Sequence, residues 1–184
     1  MIRGKISVLK AIEASDAEQY HLWINDEETN QWRGLYHPTS RAEAEKWIES
    51  KRQTQTDKLN LAIHTQDGKH IGFVGLQAIC PRSRRAELWI YIGNKDFWGK
   101  GYGEDAVRAL CKYAFEQMNL HRIWLECNPD FTQVTKCYEK VGFKQEGLLR
   151  QAYYRDGEFR DTCIMGLLRQ DFKSTEAPYI CLKV

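Results

Sequence analysis

The sequence predicts a mixed α/β fold, a single sheet covered by helices on both faces. Three observations carry that expectation. Runs rich in β-branched and aromatic residues alternate with segments whose apolar residues recur at helical spacing. Their order is strand, two helices, three strands, helix, strand, helix, two strands, which mixes the two element types along one chain. Asp-Gly pairs at Asp67-Gly68 and Asp156-Gly157 fall where two of the strand pairs must turn back.

Each element has a local reason. Ile6, Val8 and Leu9 open the first strand. Ser15 with Glu18 has the spacing of a capping box and starts a helix carrying Tyr20, Trp23 and Ile24. Ser40 with Glu43 repeats the pattern before Ala44, Trp47 and Ile48. Leu59 to Thr65 turns at Asp67-Gly68 and pairs with Ile71 to Ile79. Ala86 to Gly93 makes the next strand and stops at Gly93-Asn94. Ala106, Val107, Leu110, Ala114 and Met118 then mark a helix, and Ile123 to Asn128 another buried strand. Asp130 with Gln133 forms a third capping-box pattern, and Val134, Cys137, Tyr138 and Val141 share one face of a short helix. Gly142 sits where a C′ glycine belongs. Tyr153 to Asp161 folds at Asp156-Gly157 and leads into Ile164 to Leu167. No linker, repeat or low-complexity tract interrupts the chain, so residues 1–184 read as one domain. Its core spans about residues 5–170. The extension over 171–184 ends in apolar Tyr179-Ile180-Cys181-Leu182, suited to a sheet edge or a second subunit.

Composition removes several classes of function. The 27 Lys and Arg against 25 Asp and Glu leave a net charge of +2, too small to argue for nucleic acid or an anionic membrane surface. The longest apolar runs fall short of a membrane span, and the N-terminus leads into a strand rather than a signal-peptide core. A cytoplasmic location is expected. The 6 cysteines, without a Cys-x-x-Cys pair, read as reduced core thiols, and the 5 dispersed histidines imply no metal site.

The segment that carries chemistry is Trp98-Gly99-Lys100-Gly101-Tyr102-Gly103, set between a strand and a helix. Glycines let the backbone approach a ligand closely, and a helix N-terminus presents free N–H groups and a positive dipole end. That arrangement suits a phosphate or pyrophosphate, although three glycines also make an ordinary tight turn. The spacing is not the Gly-x-Gly-x-x-Gly of dinucleotide folds, and Lys100 is followed by Gly101 rather than Ser or Thr as in a P-loop. Downstream, Tyr138 faces inward beside the strand that carries Glu126. A buried hydroxyl needs a partner, and an apolar strand rarely carries a glutamate.

In these residues the chain resembles the GCN5-related N-acetyltransferase (GNAT) superfamily, within it the bacterial ribosomal-protein and spermidine N-acetyltransferase-like branch. The resemblance rests on Arg84-Arg85-Ala86-Glu87, Trp98 to Gly103, Tyr138-Glu139-Lys140-Val141-Gly142-Phe143, and the hairpin Tyr153 to Asp161 with Ile164-Met165-Gly166-Leu167. It implies a central twisted, mostly antiparallel sheet of about seven strands with about four helices, splayed at the acetyl-CoA site. The family's Gln/Arg-x-x-Gly-x-Gly/Ala signature falls on Trp98 to Gly103, with Trp98 where Gln or Arg is usual. Phe131 stands where an Asn often contacts the pantetheine arm, and Asn128 is a substitute for it. Ile90, Tyr91 and Ile92 would offer backbone N–H groups to the acetyl carbonyl.

The resemblance also implies roles. Tyr138 donates a proton to the departing thiolate, and Glu126 or Glu87 accepts one from the amine. Each has a structural alternative: Tyr138 as a core residue, Glu126 as a solvent-facing or ion-paired side chain, Glu87 as a partner of Arg84 and Arg85. The acceptor site is expected between the early helices and the late hairpin. Glu27 and Glu28, in the acidic run from Asp26, and Trp32, Tyr36 and Tyr153 are its candidates, with a solvated helix end and core or dimer packing as alternatives. The implied activity is direct acetyl transfer from acetyl-CoA to a primary amine, first a protein or peptide N-terminus and second a polyamine. A non-catalytic acyl-CoA sensor is the reading from another class. A homodimer is allowed, and no metal is required.

Overall fold

A computed structural model describes residues 1–30, 37–53, 55–155 and 157–173. Its sheet has 8 strands: β1 (Ile2–Arg3), β2 (Ser7–Lys10), β3 (Leu59–Thr65), β4 (His70–Cys80), β5 (Arg85–Ile92), β6 (Arg122–Cys127), β7 (Lys144–Arg155) and β8 (Glu158–Leu168), in the order β1-β2-β3-β4-β5-β6-β8-β7. The helices are α1 (Asp16–Ile24), α2 (Glu27–Asn30), α3 (Arg41–Arg52), α4 (Tyr102–Glu116) and α5 (Thr132–Val141). All neighbouring strands are antiparallel except β5 and β6, which α4 joins as a βαβ unit.

Period-two alternation divides the core into two layers. Ile63, Val74, Leu76, Leu88, Ile123 and Leu125 face α4 and α5, where Val107, Leu110, Phe115, Tyr138 and Val141 meet them. Ala62, Phe73 and Tyr91 face the other way, onto Tyr20, Trp23, Ala44 and Ile48 of α1 and α3. Tyr20 stacks on Trp47 at 4.1 Å, and Gly93 lets Trp23 lie flat against the sheet, since a Cβ there would sit 2.2 Å from the indole.

The count exceeds the expected seven strands and four helices by one each. Ile2 and Arg3 pair with Leu9 and Val8 as a two-residue strand, and Glu27–Asn30 form a single helical turn. The Ser40 capping box is complete in both directions. The Ser15 box does not form: Ser15 is already helical, and Asp16 Oδ2 instead accepts from Glu13 N–H at 2.8 Å. The Asp130 box fails for a similar reason. Asn128 Oδ1 takes the Asp130 N–H at 2.8 Å, which moves the start of α5 to Thr132 with Phe131 at the cap position. Gly142 has φ +116, and the Gly142 and Phe143 N–H groups donate to Glu139 and Tyr138 carbonyls at 3.0 and 3.1 Å, the glycine-ended cap expected there. Asp156 and the segment from Ser174 onward, including Tyr179 to Leu182, lie outside the described residues.

Candidate functional site

Among the described residues, the one parallel pair in the sheet, β5 and β6, is short. β5 and β6 pair at Arg85 with Arg122, Ala86 with Ile123 and Glu87 with Trp124, and no further, although β5 continues to Ile92 and β6 to Cys127. Beyond Glu87 a wedge opens between them. The backbone that lines it follows from register. Gly93 N–H donates to the Ile71 carbonyl at 3.0 Å, so in this ladder the Phe73–Tyr91 and Gly75–Trp89 pairs exchange both bonds. Ile90 and Ile92 therefore turn their N–H and C=O groups away from β4, into the wedge. Tyr91, between them, uses its backbone on β4 and buries its ring in the α1/α3 layer.

At the end of β5 the chain makes a 3-10 turn over Lys95–Phe97 and then the glycine loop. Gly99 and Gly101 hold φ of +70 and +86, which L side chains adopt at a cost, and Gly101 is the cap residue of α4. A Cβ on Gly99 would meet nothing within 4 Å, on Gly101 only Ile6 at 3.9 Å, and on Gly103 only Ile92 at 4.0 Å. The space beside these glycines is open to a ligand. The first helical bond is Asp105 N–H to the Gly101 carbonyl at 3.0 Å, so the N–H groups of Tyr102, Gly103 and Glu104 head a 15-residue helix without partners inside it. Lys69 and Lys100 place their ammonium groups 5.0 and 5.9 Å from the Phe97 ring, adding positive charge beside the loop. Wedge and loop together fit an extended amide-bearing arm that ends in a pyrophosphate.

Two side chains fix this region in ways that sequence reasoning missed. Trp98 Nε1–H donates to the Ile92 carbonyl at 2.8 Å. Asp105 gathers the N–H groups of Lys5, Ile6 and Ser7 at 2.9, 3.1 and 2.9 Å and the Ser7 hydroxyl at 2.6 Å, so that the turn between β1 and β2 leans on the start of α4. The mismatch at Trp98 was the one visible signal. Asp105 gave none, because its partners are backbone groups about 100 residues away.

Tyr138 packs in the α4/α5 layer. It is 7% exposed, its ring lies 5.8 Å from Phe143, and its hydroxyl makes no hydrogen bond among the described residues. Burial pushes its pKa above the ordinary phenol value, and the thiols of Cys137 and Cys127 add to the shift. Cys127 and Cys137 are themselves pushed up to about 11 by burial, so they stay protonated and unreactive. The two carboxylates approach from the opposite face. Glu87 alternates with buried Ala86 and Leu88, and Glu126 with Leu125, so both project to the α1/α3 side. Glu87 is half-buried and Glu126 exposed, and neither has a hydrogen bond or ion pair among the described residues. Tyr138 thus lies on one face of the sheet, and Glu87 and Glu126 on the other.

Other sequence candidates fall less centrally. Asn128 and Phe131 form the turn between β6 and α5. Asp26 and Glu28 are held by Lys95 at 2.8 and 2.9 Å, which lowers the Asp26 pKa, while Glu27 is an exposed residue of α2. Tyr153 is half-buried on β7, opposite Arg160. Trp32 and Tyr36 lie outside the described residues. Among the described residues no cluster of three His, Cys, Asp or Glu side chains could hold a metal ion, and no helix is long and apolar enough to cross a membrane.

Comparison with known proteins identifies the family and the fold. The acetyltransferase (GNAT) domain model matches residues 8–144. An uncharacterized N-acetyltransferase, p20, of Bacillus licheniformis is 27% identical over 168 residues, covering 89% of this chain and 93% of its own. The putative ribosomal N-acetyltransferase YdaF of Bacillus subtilis is 31% identical over 107 residues, 58% of each chain. A spermidine N-acetyltransferase from Vibrio cholerae, solved in complex with CoA and spermine, shares the fold with a TM-score of 0.81 at 24% identity, over 90% of this chain and 96% of that one. A family whose members use acetyl-CoA, a wedge in a mixed sheet and a glycine loop at a helix start converge on one assignment: the chain belongs to the GNAT acetyltransferase family and is an N-acetyltransferase.

Proposed function

We propose that the protein transfers an acetyl group from acetyl-CoA to the α-amine of a peptide or protein N-terminus by direct attack in a ternary complex. The observation that supports this is the opening between β5 and β6 beyond Glu87, with outward N–H groups on β5 and a glycine loop at the start of α4. Acetyl-CoA, when bound, supplies an activated acyl group and a thiolate that can leave. The Ile90 and Ile92 N–H groups point where negative charge would grow on a carbonyl oxygen, and fixed donors of this kind are worth about 3 kcal/mol each. Glu126, with Glu87 as the alternative, takes the amine proton from the α1/α3 face. Tyr138, protonated throughout the neutral range, gives a proton to the sulfur from the other.

The acceptor follows from charge. A polyamine carries several cations and calls for several free carboxylates. Lys95 neutralises Asp26 and Glu28, which leaves Glu27, Glu87 and Glu126 as the candidate acids without an ion pair among the described residues. An α-amine of pKa ~8 is also partly neutral already and asks less of an exposed glutamate than an amine near ~10. A polyamine acceptor is the second reading, favoured by the spermidine enzyme of like fold. A cytoplasmic homodimer completes the proposal, formed through the outer hairpin where Leu148, Leu149, Tyr154 and Phe159 are exposed.

Thiol release from acetyl-CoA, measured across short peptides with free N-termini, spermidine, spermine, an aminoglycoside and a lysine peptide, tests the proposal. Turnover confined to peptide α-amines supports it. A preference for spermidine or spermine replaces it with the second reading, and Glu126→Gln against Glu87→Gln decides the base.

A further inference from the structure

The Ile92 carbonyl is one of the few polar groups that β5 aims into the wedge, and a protein side chain holds it. The Trp98 indole donates to it at 2.8 Å from the first residue of the glycine loop, only six residues away along the chain. Between the two, Asn94 Oδ1 accepts from Asp96 N–H at 3.1 Å and Trp98 N–H donates to the Lys95 carbonyl at 3.0 Å, so the connection is a closed, hydrogen-bonded turn. The indole closes that turn into a ring whose far side is the strand tip. Trp98 is thus the side-chain hydrogen bond that joins the loop to the strand tip.

We propose that Trp98 is a positioning residue that couples the phosphate loop to the strand tip receiving the thioester. Two consequences follow, both resting on the acetyl-CoA reading of the wedge. With one lone pair of its carbonyl taken, Ile92 offers the wedge its N–H as the free donor and a weakened acceptor, which favours one register for an amide arm lying along β5. A pyrophosphate seated on the loop is then at a fixed distance from the Ile90 and Ile92 donors, and binding energy from the remote end of the ligand is converted into alignment at the reacting end. A side chain that contacted phosphate directly would contribute binding alone.

Trp98→Phe keeps the ring and removes the donor. Acetyl-CoA should then show a kcat lower by about tenfold or more, as for an ångström-scale misplacement, with KM changed less than kcat. Acetyl-pantetheine, which lacks the pyrophosphate and cannot use the coupling, should lose less than about twofold with the same variant. In the protein without ligand, exchange of the Gly93 and Asn94 amides, both bonded to the Ile71 carbonyl, should speed up about tenfold while that of α4 is unchanged. Equal losses for the two thioesters would show a merely structural role and overturn the proposal, as would exchange rates equal to those of the unaltered protein. Exchange is read without turnover, so it decides the matter even if the unaltered protein acetylates no amine, an outcome that would overturn the acetyl-transfer reading instead.

Discussion

Replacing Tyr138 by Phe separates a catalytic hydroxyl from a core ring. The ring is packed between α5 and the sheet and touches Phe143, and the variant keeps all of that. The hydroxyl has no hydrogen bond among the described residues, so its removal orphans no partner, and stability should change by less than about 1 kcal/mol in either direction. If the hydroxyl donates a proton to sulfur, turnover loses what a positioned acid supplies. That is about 10²-fold at the lower end, or about 2.7 kcal/mol of barrier. The assay is thiol release under saturating peptide, with calorimetry for CoA binding and thermal melting for stability. Burial holds the phenol above its ordinary pKa, so the acid stays protonated through the neutral range, and an alkaline fall in kcat due to it should lie above pH ~10. A variant with unchanged kcat would refute the acid role. So would a loss of kcat that came with a lowered melting temperature and lost CoA binding, because the ring would then be what mattered.

Three further outcomes are expected. Gly99→Ala meets no neighbour but must hold φ +70, so it should cost about 1 kcal/mol in urea titration and raise KM for acetyl-CoA about tenfold, since its methyl projects into the loop's open side. Lys95→Ala releases Asp26 and Glu28 and should raise kcat/KM for spermidine severalfold while leaving peptide turnover within about twofold. Arg122 holds the Glu146 carboxylate below its usual range; the depressed folded pKa means that the pair stabilises the fold above the unfolded value near ~4.3 and stops doing so as pH falls through the folded one. Glu146 is 37% exposed and therefore screened, so Glu146→Gln should cost under about 1 kcal/mol at pH 7, and the cost should shrink as pH falls below the unfolded value, read by chemical denaturation.

What the sequence made legible was whatever its own neighbours decide. The box at Ser40 and the glycine cap at Gly142 need only residues within one turn, and both formed. The boxes at Ser15 and Asp130 had the same letters but lost to competing local bonds, from Asp16 to Glu13 and from Asn128 to Asp130. Ile2–Arg3 and Glu27–Asn30 are too short for any periodicity to register. The glycine loop and the inward Tyr138 were readable from spacing. The wedge was expected only through the family resemblance, as a splay at Ile90 to Ile92; residue spacing did not place it, because where two parallel strands part depends on their pairing register. The clasp of Trp98 on Ile92 and the grip of Asp105 on Lys5 to Ser7 are contacts between segments, and neither follows from residue type.

Hydrogen–deuterium exchange with and without CoA tests, residue by residue, whether the opening between β5 and β6 receives acetyl-CoA. Exchange should slow at Ile90, Ile92 and the N–H groups of Gly99 to Glu104, with β3 and α3 unchanged. Protection that fell instead on the groove of about 650 Å³ between α1 and α3, or that was absent from the β5 tip at saturating CoA, would contradict it.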